Sequence, residues 1–222
     1  MKQVVILGTT PYSVAMYRMV KIEQAFEVLA FSTKKEFIKE TCLDGIPVVA
    51  QEDLDDTFDM TQVKLLMTIG YGHMNTVREK VYNEVVSKYG ETILESFVSK
   101  RANVYCDIPK NSGVIIMPGA YLGPEIKIGK CCVIRANTTI THHITLEDFS
   151  FIGAGVVIGG NTVVGHHSFV GLNSTIKNKI VLPPYSLVGC GSNVIKNYIS
   201  DYPVIVGNPA VVLNGKQSLD SL

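Results

Sequence analysis

The sequence has no tryptophan, and its five cysteines are an odd number without a single Cys-x-x-Cys spacing. A disulfide framework and a zinc ribbon are both poorly matched by that pattern, and the adjacent Cys131 and Cys132 read as packed free thiols. There is no charge excess either. Twenty basic residues face twenty acidic ones, so no basic field draws the chain to nucleic acid or to an anionic membrane, and a small or uncharged partner is expected. Long apolar runs are missing too: Val4 to Leu7 and the stretch 64–71 fall far short of a bilayer span. The N-terminus lacks the apolar core of a signal peptide, and a cytoplasmic protein is expected.

What is present is enough for one or two globular domains: 222 residues, 46% apolar, with 19 glycines. The charges crowd into the first part, with 24 of the 40 in positions 1–97, and a domain boundary near residue 97 follows. The first part opens on the apolar run Val4–Leu7, then Gly8, then a helical pattern from Tyr12 to Ile22 carrying Val14, Met16, Met19 and Val20. Further apolar runs at Val28–Phe31, Ile46–Val49 and Leu65–Ile69, and an amphipathic stretch from Asn75 to Lys88, continue the alternation. Strands alternating with helices predict a small parallel α/β domain.

From residue 116 a different rule holds. Every sixth residue is aliphatic: Ile116, Leu122, Ile128, Ile134, Ile140, Leu146, Ile152, Ile158, Val164, Val170, Ile176, Leu182, Val188 and Val194. At the chain's apolar fraction such a run arises by chance roughly once in 50,000 tries, so it is a repeat. Two positions earlier stand small or β-branched residues (Thr138, Ser150, Ser168, Ser174), and one position later glycine recurs (Gly123, Gly129, Gly153, Gly159, Gly165, Gly171). Period six fits neither the 3.6 of a helix nor the 2 of an isolated strand; each hexad is therefore a short strand plus a turn in a parallel β-helix, with the small residue and the glycine making the corner.

This aliphatic-Gly-x-x-small-x pattern resembles that of the hexapeptide-repeat acyltransferases over at least residues 98–214. The resemblance implies coils of three hexads, about 18 residues, wound as a left-handed β-helix against the usual crossover preference. Residues 18 apart then stack on one face, as in 140/158/176/194, 146/164/182 and 134/152/170/188. The expected fold class is an α/β, Rossmann-like N-terminal domain (1–97) that binds the sugar substrate, followed by an all-β left-handed parallel β-helix (98–222) that binds acetyl-CoA.

Four of the five histidines lie at corners, as His142-His143 and His166-His167, just after inward aliphatic residues. A histidine on a solvated rim has no chemistry by default. The stretch Asn137 to His142, however, resembles the catalytic segment of the bacterial sugar acetyltransferases described as sialic acid O-acetyltransferase NeuD-like. That resemblance implies His142 as general base, acetyl-CoA as cosubstrate, no metal, a homotrimer, and a role in making surface polysaccharide. It implies further that Gly160, one coil on, donates its N–H to the acetyl carbonyl; a plain corner glycine is the alternative. The chemistry suits the residue types. An attacking amine or hydroxyl loses a proton as the bond to the thioester carbon forms, which an imidazole accepts near neutral pH, and the carbonyl oxygen gains charge that a backbone N–H stabilises.

Two departures stand out. The family's acid after the catalytic histidine is replaced by His143, leaving Glu147, Asp148 or a backbone carbonyl to hold the ring, and Phe151 takes the place of a second histidine beside the acyl-CoA. Gly207, Pro209 and Ala210 resemble the family's closing Gly-x-Pro-Ala turn, which implies contact with the coenzyme A arm, or equally a plain exit turn. In the N-terminal part, Gly8, Thr9, Thr10 and Ser13 stand where relatives hold a nucleotide-sugar, although Pro11 removes a donor. Gly70, Asn75 and Arg78 resemble a second loop on that ligand, with Arg78 either a phosphate fork or an exposed helix charge. The resemblance thus implies transfer of acetyl to an amino group of a nucleotide-linked deoxy-amino sugar, with O-acetylation of a saccharide as the runner-up. Direct attack is expected, since no Ser or Cys has the setting of an acyl-enzyme nucleophile. A zinc carbonic-anhydrase-like enzyme using His142, His166 and His167, and a non-catalytic scaffold, are the other classes weighed; the 24-residue separation of His142 and His166 puts them on different faces.

Overall fold

The computed structural model describes residues 1–221. Its first part is a six-stranded sheet of order β3-β4-β2-β1-β5-β6, built from β1 (Gln3–Leu7), β2 (Glu27–Thr33), β3 (Cys42–Leu43), β4 (Ile46–Ala50), β5 (Val63–Met67) and β6 (Leu94–Glu95). All neighbours run parallel except β3, a two-residue strand that turns back on β4. Val4, Val5, Ile6 and Leu7 are fully buried, because β1 sits in the middle of the sheet with both faces covered. Helix α1 (Pro11–Ile22) begins where expected: Thr10 caps it by accepting from Ser13 N, and Pro11 fills a first-turn position whose N–H would have no helical partner. Helix α2 (Leu54–Thr57) is a single turn, and α3 (Thr76–Tyr89) buries Arg78, Val81, Tyr82 and Val85.

The sheet ends at Glu95, and the strand Phe97–Val98 already pairs with Ile115–Ile116, the first rung of the β-helix. From there the chain visits three parallel sheets in turn. The first face stacks Tyr121–Leu122, Thr139–Ile140, Val157–Ile158, Thr175–Ile176 and Asn193–Val194, at intervals of 18 residues. The second stacks Lys127–Ile128, Thr145–Leu146, Val163–Val164 and Val181–Leu182, and the third runs from Ile115–Ile116 to Leu187–Val188. All fourteen aliphatic residues of the six-residue column enter one core, as the repeat requires. Between them the small residues hold the corners. Thr138 Oγ1 donates to Arg135 O (2.8 Å), Ser150 Oγ to Glu147 O (2.7 Å) and Ser186 Oγ to Pro183 O (2.6 Å), each within its own turn, whereas Thr162, Ser168 and Ser174 donate to a carbonyl of the next coil.

The glycines divide the corner work differently from expectation. The glycine after each inward residue is there for closeness, not for its backbone angle: a Cβ on Gly165 would lie 2.5 Å from Pro184 N in the next coil. The left-handed backbone angle falls two residues later, and mostly not on glycine. Glu125, His143, Asn161 and Lys179 (φ 54 to 63°) take it at the first corner, between the first and second faces. Cys131, Phe149, His167 and Tyr185 (φ 50 to 60°) take it at the second corner, between the second and third faces. The strained angle persists because stacking with the coils above and below fixes it.

The α/β part packs against the third face and the second corner. Val133, Phe151 and Ile115 share a core with Met16, Phe31 and Leu66, while Cys131 and Phe149 share one with Val81, Tyr82 and Leu94. The first corner and first face are left clear of it. At the far end, the strand Pro203–Gly207 joins the third face and folds back as Ala210–Gln217.

Candidate active site

His142 and Gly160 meet as the coil arithmetic expects. A Cβ on Gly160 would stand 2.7 Å from His142 Nε2 and 2.9 Å from Nδ1, so the imidazole lies directly on the glycine backbone and only glycine leaves it room. The Gly160 carbonyl accepts from Lys179 N (2.9 Å), but among the described residues no protein acceptor takes its N–H. At the second corner two of the corresponding N–H groups are used: Lys130 N donates to Asp148 Oδ1 (2.7 Å) and His166 N to Glu147 Oε2 (2.9 Å). An unspent N–H beside an imidazole is what a developing oxyanion requires.

Those two bonds also correct the expectation for what orients His142. Glu147 and Asp148 are committed at the other corner, and the partner is His143, whose Nδ1 lies 3.1 Å from His142 Nδ1. The rings stand nearly perpendicular, at 87°. With one Nδ1 donating and the other accepting, the His142 Nδ1–H tautomer leaves Nε2 with a lone pair. Both side chains are exposed.

The two adjacent thiols are spectators. Cys132 is inside the β-helix and Cys131 under the α/β part, and burial pushes both up to about 12, so neither is a thiolate nucleophile.

Several expected ligand contacts are used inside the fold instead. Arg78 is fully buried, neither a free fork nor an exposed charge: one terminal nitrogen donates to Phe149 O (2.6 Å) and the other to Gly70 O (3.3 Å), tying α3 to the second corner. Asn75 is equally buried and donates Nδ2–H to His167 O (2.8 Å). Ser13 is buried beneath Gly8 as part of the helix cap. Phe151, 6% exposed, packs between Tyr71 and Phe169 under the α/β part and away from His142, so it is no acyl-CoA contact. Ala210 closes the β-helix core, whereas Gly207 and Pro209 are exposed on the closing turn, where Asn208 accepts from Asn193. The structure therefore leaves Gly207 and Pro209 free to touch a ligand and removes Ala210.

Gly8, Thr9 and Thr10 line a cavity of about 360 Å³ with Thr33, Lys39 and Ile69. It opens past the carboxyl ends of β1, β2 and β5, and β1 is where the strand order turns from β2 to β5, the usual place for a ligand in an open parallel sheet. Lys39 was not found from the sequence, because it lies in an irregular segment whose folding back over the sheet has no periodic signature. Gly70 borders this edge, with open space where a Cβ would be.

The second histidine pair lies at a partly covered corner. His166 Nδ1 lies 2.9 Å from His167 Nδ1, and His167 is sandwiched between Phe149 and Tyr185 with ring centroids at 5.0 and 4.8 Å. Its Nε2 is 3.2 Å from Glu79 Oε2 on α3, a Coulombic contact without hydrogen-bond angles. Burial holds His167 below the usual imidazole range, with Glu79 opposing. The pair borders a groove of about 520 Å³ with Lys127, Glu147 and Tyr185.

Residues 111–142 match the family model described as bacterial transferase hexapeptide (six repeats). Among solved structures, the acetyltransferase domain of PglB from Neisseria gonorrhoeae FA1090, in complex with acetyl coenzyme A, is similar with a TM-score of 0.81 and 17% identity, over 96% of this chain and 99% of that one. PerB from Caulobacter crescentus, in complex with CoA and GDP-perosamine, is similar with a TM-score of 0.81 and 19% identity, over 96% and 97%. WeeI from Acinetobacter baumannii AYE gives 0.81 and 21%, over 95% and 99%. The chain has their fold. That fold is an α/β part followed by a parallel β-helix, and the similarity covers both. Among the described residues no helix is long and apolar enough to cross a membrane, and no three metal-ligating side chains converge.

Proposed function

We propose that the chain is an acetyl-CoA-dependent acetyltransferase that acetylates an amino group of a nucleotide-linked deoxy-amino sugar. The observation that carries this reading is the imidazole of His142 seated on Gly160, with Nδ1 held by His143 and an unspent backbone N–H beneath. The solved structures of like fold support the chemistry, since one holds acetyl coenzyme A and another CoA with GDP-perosamine.

In the proposed reaction the sugar amine attacks the thioester carbon while His142 Nε2 takes its proton; the C–N bond forms, the C–S bond breaks, and the imidazolium returns the proton to the departing thiolate. The Gly160 N–H receives the carbonyl oxygen as it gains charge. Residues 1–97 form the sugar-binding unit, with the nucleotide in the cavity of Gly8, Thr9 and Thr10, where Lys39, next to Glu40, supplies a cation for phosphate. Residues 98–222 form the acetyl-CoA-binding unit, its helix left-handed, with Gly207 and Pro209 against the coenzyme A arm. The residues lining the Gly8 cavity include none from the first corner, which favours a homotrimer in which one chain's sugar reaches another chain's His142. The setting is the cytoplasm, where acetyl-CoA and nucleotide sugars are found together.

Free-thiol release from acetyl-CoA, followed against a panel of nucleotide-linked 3-amino and 4-amino deoxysugars and their hydroxyl counterparts, tests the reading. Turnover on an amino sugar, lost by about 10²–10⁴ in His142→Ala, is expected. Turnover confined to a hydroxyl sugar replaces it with O-acetylation, and turnover unchanged in His142→Ala overturns the mechanism.

A further inference from the structure

The partner of His142 is not an anion, and that changes how the site responds to protons. We propose that His143 is a positioning residue which fixes the working tautomer of His142 and must itself be neutral for transfer to proceed. The inference rests on the reading of His142 as general base.

Two Nδ1 atoms 3.1 Å apart form a bond only when one carries a hydrogen and the other a lone pair. With His143 neutral, its Nδ1 accepts the His142 Nδ1–H, and the His142 Nε2 lone pair is available. The same bond then holds the imidazolium once the amine proton has arrived. With His143 protonated, its Nδ1 is a donor. His142 is driven to the opposite tautomer, with its hydrogen on Nε2, and a second positive charge beside it opposes the imidazolium. Both rings must therefore be neutral, whereas a carboxylate in place of His143 would stay ionised throughout the working range.

The geometry belongs to the corner and not to a chance rotamer. His143 takes the left-handed backbone angle (φ 54°) that its whole column shares, and His167, with φ 60°, holds His166 in the same Nδ1-to-Nδ1 arrangement at 2.9 Å. Among the described residues no carboxylate bonds to His142: Glu147 and Asp148 are bound to backbone N–H groups at the second corner. The charged residues stacked on the His143 column are Glu125, one coil before, and Lys179, two coils after, and among the described residues neither bonds to either ring.

The test is the pH dependence of kcat for acetyl transfer in the wild type, His143→Asp and His143→Ala, with His142→Ala as reference. Asp tolerates the left-handed angle, so His143→Asp keeps the corner. At its low-pH end, where the second ring charges, the acid limb of log kcat is expected to steepen by one further proton in the wild type and to keep its slope in His143→Asp down to the carboxylate's own range at about 4, a comparison in which the titration of the sugar amine cancels. His143→Ala is expected to lose on the order of 10² in kcat, with the KM for acetyl-CoA unchanged and activity restored in His143→Asp. Equal acid slopes in the wild type and His143→Asp, or full activity in His143→Ala, overturn the role of His143 while leaving His142 as base. Full activity in His142→Ala overturns the underlying reading and this inference with it.

Discussion

The molecule makes the same turn twice with the same two residues, and only one copy is open. At the first corner His142-His143 stands clear of the α/β part, with a glycine beneath the ring and an N–H unclaimed. At the second corner His166-His167 has equivalent backbone angles and the same contact between Nδ1 atoms, but α3 lies against it, Glu147 has taken the His166 N–H, and His167 is 3% exposed between two aromatic rings. Chemistry here is decided less by residue type than by what the neighbouring coil and the other lobe leave unsatisfied.

Substitutions can break that contrast, and the largest effect belongs to the ring itself. His142→Ala is expected to cost about 10²–10⁴ in kcat with unchanged circular dichroism, whereas His166→Ala leaves kcat within about 3-fold; comparable losses at both corners would erase the distinction. Next comes the glycine. Gly160→Ala places a methyl where the imidazole sits and is expected to lower kcat on the order of 10², read in the same thiol-release assay, with little change in stability because the ring can swing outward.

Arg78→Met sharpens the comparison from the structural side. It strips Phe149 O and Gly70 O of a buried donor and is expected to lower stability by about 2 kcal/mol in urea titration, while the kcat of the folded enzyme is kept. The smallest effect is a pH dependence. Because His167 is held below its ordinary value in the fold, the unfolded chain takes up that proton first, and stability falls as pH drops below the ordinary histidine value of about 6.5. Glu79→Gln removes the opposing charge and deepens that fall, and His167→Phe abolishes its share; urea midpoints at about pH 7.5 and 5.5 read both.

Much of this was legible in the sequence because a β-helix is nearly one-dimensional. The fourteen-member column fixes which residues point inward, the 18-residue coil stacks Gly160 on His142, and both follow from counting. What escaped depends on how two lobes meet. Arg78 and Asn75 lie 71 and 92 residues from the carbonyls they bind, Phe149 O and His167 O, and no local pattern announces that α3 will settle on the second corner. Phe151 was misplaced for the same reason: its position in the coil was right, but the third face is covered. Ser13 and Ala210 were misread as ligand contacts because a helix cap and a core-closing residue use the same small side chains that a binding loop does.

The most direct test of the central claim is a crystal structure of the protein with acetyl-CoA bound. The account predicts the thioester at the first corner, its carbonyl oxygen about 3 Å from the Gly160 nitrogen and its carbon beside His142. A thioester lodged instead in the groove of His166, Glu79 and Tyr185 would contradict it.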